Sequence, residues 1–301
     1  MTEAAIEIKD LHFSYGRKKV LTGVNLDVPA GSIFGFLGRN GAGKTTLIKT
    51  LLGLQKPSAG KGSILGLDCF EHALEVRKRI GYMAEDQQMY GWMRVGQIIN
   101  WVAGFYPNWD MTFTDELVDI LRLSKNTKVK ALSKGQNSSL ALLLALGHHP
   151  ELVILDDPTL GLDPIARKDF LRHVIELLQS NNVTVFFSSH LLYEIEPVAD
   201  HIAILDAGVI RKTGKTENLR DSVRKFLLSP KSEADFSNIG GLLDVMHSGD
   251  SVSVTIEDCT DEKRSQLQAH SANGMTETAL NLDEIFEAYV IGNKGELLAT
   301  G

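Results

Sequence analysis

Cysteine, positive charge and long apolar runs are all scarce in this sequence. Two cysteines, Cys69 and Cys259, among 301 residues cannot build a disulfide framework, which points to a reducing compartment. Lysine and arginine number 31 against 38 aspartates and glutamates, a formal net charge of −7, so the broad basic footprint of a nucleic-acid binder is missing and no such partner is expected. The most apolar stretch, Leu140 to Leu146, falls far short of the ~18 residues that a membrane-spanning helix needs. The opening MTEAAIEIKD has neither a basic stretch nor an apolar core, and no secretory signal is expected there. Internal repeats and low-complexity linkers are absent as well. What is left is a globular chain, 43% apolar and 23% charged, expected in the cytoplasm and long enough for two domains of ~150 residues.

Alternation of apolar and polar positions predicts strands at Ile6 to Tyr15, Val20 to Val28 and Ser32 to Leu37, and an antiparallel β subdomain is expected at the N-terminus. A helix is expected from Lys44 to about Gly53, and a short strand from Gly60 to Leu67. Residues 86 to 135 change to helical periods, as in Val95 to Phe105 and Thr114 to Leu123, and read as a helical insertion. Leu152 to Leu155 and Val183 to Phe187 are continuous apolar runs, the mark of parallel strands buried on both faces, with a crossover helix over Ile165 to Ser180. His201 to Leu205 and Val209 to Lys212 flank an Asp-Ala-Gly turn. The fold class is α/β, with one domain over 4–218 and a small α+β extension over 219–301. Phe226 to Leu228, Leu242 to Met246 and Ser251 to Ile256 supply the strands of that extension, and Asp261 to His270 a polar helix.

Gly38-Arg39-Asn40-Gly41-Ala42-Gly43-Lys44-Thr45-Thr46 fits G-x-x-x-x-G-K-[ST], after a strand and before a helix. Glycines let backbone N–H groups converge on phosphate oxygens, and the helix N-terminus adds partial positive charge. Lys44 brings a full charge to the β- and γ-phosphates, and Thr45 a hydroxyl to Mg²⁺. Asp156, at the end of the buried run Leu152 to Leu155, is placed to hold the same ion through water. A nucleoside triphosphate with Mg²⁺ is the expected ligand.

These residues together resemble the ATP-binding subunits of ABC (ATP-binding cassette) transporters. Leu132-Ser133-Lys134-Gly135-Gln136 is similar to that family's LSGGQ signature. Asp157-Pro158-Thr159-Leu160-Gly161-Leu162-Asp163-Pro164 is similar to its E-P-T-x-G-L-D-P segment, and Ser188-Ser189-His190 to its switch histidine. Tyr15 matches the aromatic that stacks on adenine. The match runs from about Ile6 to Lys215. A weaker likeness, through Ala279 to Phe286, links the tail to single-cassette export subunits.

The resemblance implies a P-loop NTPase core that binds and hydrolyses ATP. Two cassettes, in a homodimer or heterodimer, pair head to tail, so that Ser133, Lys134, Gly135 and Gln136 of one chain face the nucleotide on the other. Asp157 and His190 would act on the attacking water and the γ-phosphate. The chain would sit on the inner face of the membrane through a separate permease. Two other readings are a low-turnover regulatory partner of another cassette and a soluble switch acting on ribosomes or DNA; the single cassette and the net charge speak against the second. Three positions depart from the family's pattern. Asp157 stands for the usual glutamate and is shorter by one methylene, Glu85 stands for the usual glutamine after Ile80-Gly81-Tyr82, and Lys134 stands for the signature's first glycine, with its ammonium expected in solvent. They bear on the hydrolysis rate and leave ATP binding intact. Arg17-Lys18-Lys19 and Arg77-Lys78-Arg79 read as solvated faces, and the aromatics from Tyr90 to Trp109 mostly as core.

Overall fold

Two long strands open the chain, β1 (Ala4–Tyr15) and β2 (Lys18–Pro29), paired antiparallel. The alternation that predicts β1 is interrupted once: Ile8 and Leu11 are both buried, with exposed Lys9 and Asp10 between them. Ile8 faces Leu26 and Leu11 faces Val24, so between these pairs β1 carries one residue more than β2, and Asp10 takes the left-handed conformation of a bulge. The computed structural model describes residues 4–179, 183–231 and 234–292, in two compact units covering 1–210 and 211–301.

The first unit holds two sheets. In chain order its remaining elements are β3 (Ile33–Leu37), α1 (Lys44–Leu51), β4 (Ala59–Ile64), β5 (Leu67–Asp68), α2 (Ala73–Arg79), β6 (Ile80–Met83), α3 (Val95–Ala103) and α4 (Met111–Ile120). Then follow α5 (Lys134–Leu146), β7 (Leu152–Asp156), α6 (Pro164–Gln179), β8 (Thr184–Ser189), α7 (Leu192–Ile195), β9 (His201–Asp206) and β10 (Val209–Lys215), which crosses into the second unit. One sheet has the order β2-β1-β4-β5 and the other β10-β9-β3-β8-β7-β6, with the pairings from β9 through β6 all parallel. A continuous core joins Ile6, Val24 and Leu26 of the first sheet to Phe34, Phe36, Ile154 and Phe186 of the second through Leu47, Ile48 and Leu51 of α1.

Parallel order places three strand ends side by side, where open α/β sheets bind ligands. Leu37 at the end of β3 is level with Ser189 at the end of β8, and Ser188 is level with Asp156 at the end of β7. The helical insertion is α3, α4 and α5 between β6 and β7. β6 escapes the sequence pattern because it is four residues long and contains Gly81, where a Cβ would lie 2.3 Å from the Ala145 carbonyl oxygen; glycine is what lets α5 close on this strand.

The second unit contains α8 (Thr216–Ser222), β11 (Val223–Pro230), β12 (Leu242–Ser248), β13 (Ser251–Glu257), α9 (Asp261–His270), β14 (Ser271–Ala279) and α10 (Leu282–Val290). Its sheet is antiparallel, in the order β12-β13-β11-β14, over a core of Phe226, Leu228, Val252, Val254, Ile256 and Leu267. β14 is invisible in the sequence because it is an edge strand, mostly exposed, and carries no apolar alternation. α10 begins with a capping box in which the Asn281 side chain accepts from the Glu284 amide and Glu284 accepts from the Asn281 amide.

Several sequence expectations need correction. Tyr90, Trp92, Trp101 and Phe105 are not core: they are exposed and form a chain of tilted and edge-to-face contacts, while Tyr106 and Trp109 pack on the buried His148. Arg77 and Arg79 do not simply face water. Arg77 donates to the Leu52 carbonyl, and Arg79 grips Glu151 with two hydrogen bonds of 2.7 and 2.9 Å.

His148 donates from Nε2 to the Ile80 carbonyl at 3.0 Å, and burial pulls its pKa below the usual 6.5. Below pH 6.5 the unfolded chain therefore takes up a proton that the folded chain refuses, and the stability His148 contributes is lost as pH falls toward its depressed folded value. In urea unfolding between pH 8 and 5, the native protein is expected to lose stability more steeply than His148→Gln. Parallel slopes would show that His148 does not titrate on unfolding.

Candidate functional site

The phosphate loop follows directly from β3. Gly43 has φ 113° and Gly41 φ 84°, conformations that side-chain-bearing residues rarely adopt. A Cβ on Gly43 would meet Leu21 at 2.9 Å and one on Gly38 the Leu205 carbonyl at 2.7 Å, so packing as well as φ demands glycine at 43, and packing alone demands it at 38. The loop leaves Arg39, Asn40 and Gly41 exposed, with Thr45 and Thr46 half-buried in the first turn of α1. Lys44 is folded back: it is 5% exposed, and its Nζ donates to the Gly38 carbonyl at 2.8 Å.

The partner that holds Lys44 is Asp157, whose Oδ2 lies 3.3 Å from Nζ. The other carboxylate oxygen, Oδ1, accepts from His190 twice, from the backbone amide at 3.2 Å and from Nδ1 at 2.8 Å. Since a carboxylate only accepts, Nδ1 carries the ring proton and Nε2 of a neutral ring keeps its lone pair. Asp157 itself sits in the left-handed region at φ 43°, a conformation aspartate tolerates better than most residues, and its amide is held by the Ser188 carbonyl and hydroxyl. Ser188 passes the contact on by donating to Asp156 Oδ1 at 2.7 Å.

Asp156 is fully buried and its Oδ2 has no hydrogen-bond partner among the described residues. Burial drives its pKa above the usual carboxylate value, against the pull of the Ser188 and Thr45 hydroxyls, and the nearby charges of Asp157 and Glu85 add to the rise. Thr45 Oγ1 lies 3.5 Å from Glu85 Oε2, at the outer limit of a hydrogen bond. Hard oxygen donors around an orphaned carboxylate oxygen fit Mg²⁺, which takes a few protein ligands and completes its shell with phosphate and water. Among the described residues no cluster of three or more His, Cys, Asp or Glu side chains could hold a metal ion without such help.

These groups open into a hollow of about 470 Å³ lined by the loop, Glu85 and Asp157, with Tyr15, Lys18 and Lys19 at one side. Tyr15 is half exposed, stands edge-on to Phe13 and accepts from Gln55 Nε2 at 2.6 Å, which leaves a ring face for a base. Lys18 and Lys19 thus border the nucleotide hollow and are more than a solvated face. Ser133 and Lys134 line a different hollow, which shares only Glu85 with the first.

At the start of α5 Ser133 and Gln136 form a reciprocal cap. Ser133 Oγ accepts from the Gln136 amide at 3.2 Å and Gln136 Oε1 from the Ser133 amide at 3.1 Å. Gly135 is half-buried beside them, and Lys134 is exposed with its ammonium drawn over Gly161. The sequence reading named Ser188, but without its role: its hydroxyl is the bridge between the two adjacent aspartates. That role depends on β7 lying beside β8, which no local pattern encodes.

Lys44 and Asp157 are both buried, so removing one leaves an uncompensated charge, a loss of about 3–5 kcal/mol in comparable pairs. Lys44→Ala is expected to abolish ATP binding and also to lower the melting temperature. Adding Asp157→Asn to Lys44→Ala should restore the melting temperature and leave binding absent. Calorimetric titration with ATP and thermal unfolding of the three variants check both halves. Tyr15→Ala should weaken ATP binding by about 1–3 kcal/mol, the range for base–aromatic stacking, in the same titration.

The ABC transporter family matches residues 21–160. The chain is 40% identical over 227 residues to the bacitracin transport ATP-binding protein BcrA of Bacillus licheniformis, a stretch that covers 74% of this chain and 73% of that protein. It is 28% identical over 295 residues to the ABC transporter ATP-binding protein YtrB of Bacillus subtilis, covering 96% of this chain and 99% of its relative. A solved ATP-binding subunit of an ABC transporter is similar at 28% identity with a TM-score of 0.65, over 72% of this chain and 92% of that one. With a glycine-rich loop, paired strand-end aspartates and His190 assembled on this fold, the chain belongs to the ABC transporter family, as an ATP-binding cassette that hydrolyses ATP.

Proposed function

We propose that this ATPase powers export through a separate membrane-spanning permease, as one of two cassettes on the cytoplasmic face of the membrane. The observation that carries the pairing is the division of the site. The phosphate loop with Asp157 lines one hollow and Ser133 with Lys134 another, so completing a nucleotide site calls for the signature of a second cassette. Among the described residues no helix is long and apolar enough to cross a membrane, which supports a separate permease. The relative named for bacitracin transport supports a transport role, and the full-length likeness to YtrB extends through the tail. The exposed aromatics Tyr90, Trp92, Trp101 and Phe105 suit the reception of a permease helix. Residues 219–301 then form an accessory domain distinct from the 4–218 cassette.

In this reading ATP replaces Asp157 as the partner of Lys44. The ammonium turns to the β- and γ-phosphates, and the released Oδ2 accepts from the attacking water. His190 stays on Oδ1 through its Nδ1 proton, and the Nε2 lone pair accepts from that water beside the γ-phosphate. Tyr15 carries the adenine. Ser133 donates its hydroxyl proton to the nucleotide on the second cassette, because its lone pair already serves the α5 cap. Thr45, Glu85 and Asp156 would hold Mg²⁺, which supplies charge neutralisation at the phosphate oxygens.

A low-turnover role beside a more active cassette is the second reading, and it has its own support: both oxygens of the shortened Asp157 are already engaged. Steady-state rates separate the two. Asp157→Asn is expected to cut turnover at least ~100-fold with ATP affinity retained, the usual range for a lost general base. Asp157→Glu is expected to raise it about tenfold, since ~1 Å of reach can alter a rate ~100-fold. Unchanged turnover in both would favour the low-turnover reading. For the permease, an integral membrane protein should co-purify in detergent with the native chain and be lost with Trp92→Asp. Ribosomes or nucleic acid in its place would overturn the transport role.

A further inference from the structure

Glu194 in α7 is a buried acid that the mechanism above leaves unused. It is 1% exposed, and its carboxylate gathers three groups from three other segments. The Thr159 hydroxyl, in the loop that follows Asp157, lies 2.8 Å from both carboxylate oxygens. The Ser189 hydroxyl, at the end of β8 and next to His190, donates to Oε2 at 2.9 Å. Arg167, in the first turn of α6, brings its guanidinium to 3.1 Å from Oε1. Burying a carboxylate is costly unless charge and hydrogen bonds compensate it, and here both do.

The partners are not scattered. Thr159 is two residues after Asp157, and Ser189 is one residue before His190. Asp163, between Thr159 and Arg167, caps α6 by accepting from the amides of Ile165 and Ala166 at 3.0 Å each, so the whole 157–167 segment is tied down at both ends. Ser189 Oγ also accepts from the Leu191 amide at 2.9 Å, and so stiffens the turn that carries His190. One carboxylate behind the site thus grips the two loops whose side chains meet in front of it, where Asp157 Oδ1 and His190 Nδ1 are 2.8 Å apart.

We infer that Glu194 is a positioning residue for hydrolysis: through Thr159 and Ser189 it sets the spacing of Asp157 and His190, and so governs turnover while leaving nucleotide binding to the phosphate loop. The inference rests on the reading that Asp157 and His190 act on the nucleotide. It is specific about the split it produces. None of Glu194, Thr159 or Ser189 lines the hollow that holds Lys44 and Tyr15, so affinity is spared. Displacement of the reacting groups by ~1 Å is enough to slow the chemistry up to ~100-fold.

The test uses the full chain and measures kcat, KM and the affinity for a non-hydrolysable ATP analogue, below the melting temperature of every variant. Thr159→Val, which keeps the shape and removes the hydroxyl, is expected to lower kcat about tenfold or more with analogue affinity within twofold of native. Thr159→Ser, which returns the hydroxyl, is expected to restore kcat. Glu194→Gln should resemble Thr159→Val, and Ser189→Ala should give the same split. A Thr159→Val enzyme with native kcat, or one whose kcat Thr159→Ser does not rescue, overturns the inference. Asp157→Asn, run alongside, separates the two failures. If Asp157→Asn slows turnover and Thr159→Val does not, the positioning role alone is wrong. If neither does, the reading of Asp157 and His190 has failed, and the inference falls with it.

Discussion

Asp157 stands between a lysine and a histidine, one oxygen for each, and most of the site depends on that carboxylate. Lys44 comes from the loop after β3 and His190 from the turn after β8, while Asp157 follows β7. The three strands are neighbours in the order β3-β8-β7, so the ion pair and the hydrogen bond close over the ends of a single stretch of parallel sheet. A buried ammonium and a buried carboxylate each cost several kcal/mol to desolvate, and each is tolerable because the other is there. The pair is also well suited to exchange. Phosphates offer the same ammonium a richer set of oxygens, so a nucleotide can displace the aspartate and free it in the same event.

Behind this front layer lies a second set of polar contacts, and it is more heavily built. Ser188 bridges Asp156 and Asp157, and Glu194 ties Thr159, Ser189 and Arg167 together. A hydrogen-bonded group held in a site of low dielectric resists displacement, because losing a partner leaves an unsatisfied buried atom. In the proposed mechanism, precision in the reacting groups would therefore come from residues that do not line the nucleotide hollow. The exception is Asp156 Oδ2, which is buried without a partner. A group left in that condition is costly, and a divalent cation is the chemistry that would relieve it.

The residues at the start of α5 face two ways. Ser133 and Gln136 satisfy each other's backbone amides at the start of the helix, so the signature segment is locally rigid before any nucleotide approaches. The same cap takes one acceptor lone pair of the Ser133 hydroxyl and one of the Gln136 carbonyl oxygen, which narrows what these two residues can offer outward. Lys134, by contrast, is exposed and drawn across Gly161, in the loop that Glu194 anchors through Thr159.

Much of this was legible in the sequence. The phosphate loop declared itself because its glycines answer a local demand: Gly41 and Gly43 adopt positive φ whatever surrounds them. The continuous apolar runs of β7 and β8 announced buried parallel strands, and the alternation in β1 and β2 announced a half-exposed sheet, since burial on one face or two is written residue by residue. Asp156 could be named from its place at the end of β7, and Tyr15, Asp157 and His190 from the resemblance to the ABC family. Tertiary structure alone decided the rest. That Lys44 grips Asp157, that Ser188 spans two aspartates, that Glu194 binds Thr159 and Ser189, and that four aromatics face outward all depend on which strands and helices lie side by side. Such contacts join residues up to 113 positions apart, as for Lys44 and Asp157. No local periodicity records them, because the cost of burying each group is met only by its neighbour in the folded chain.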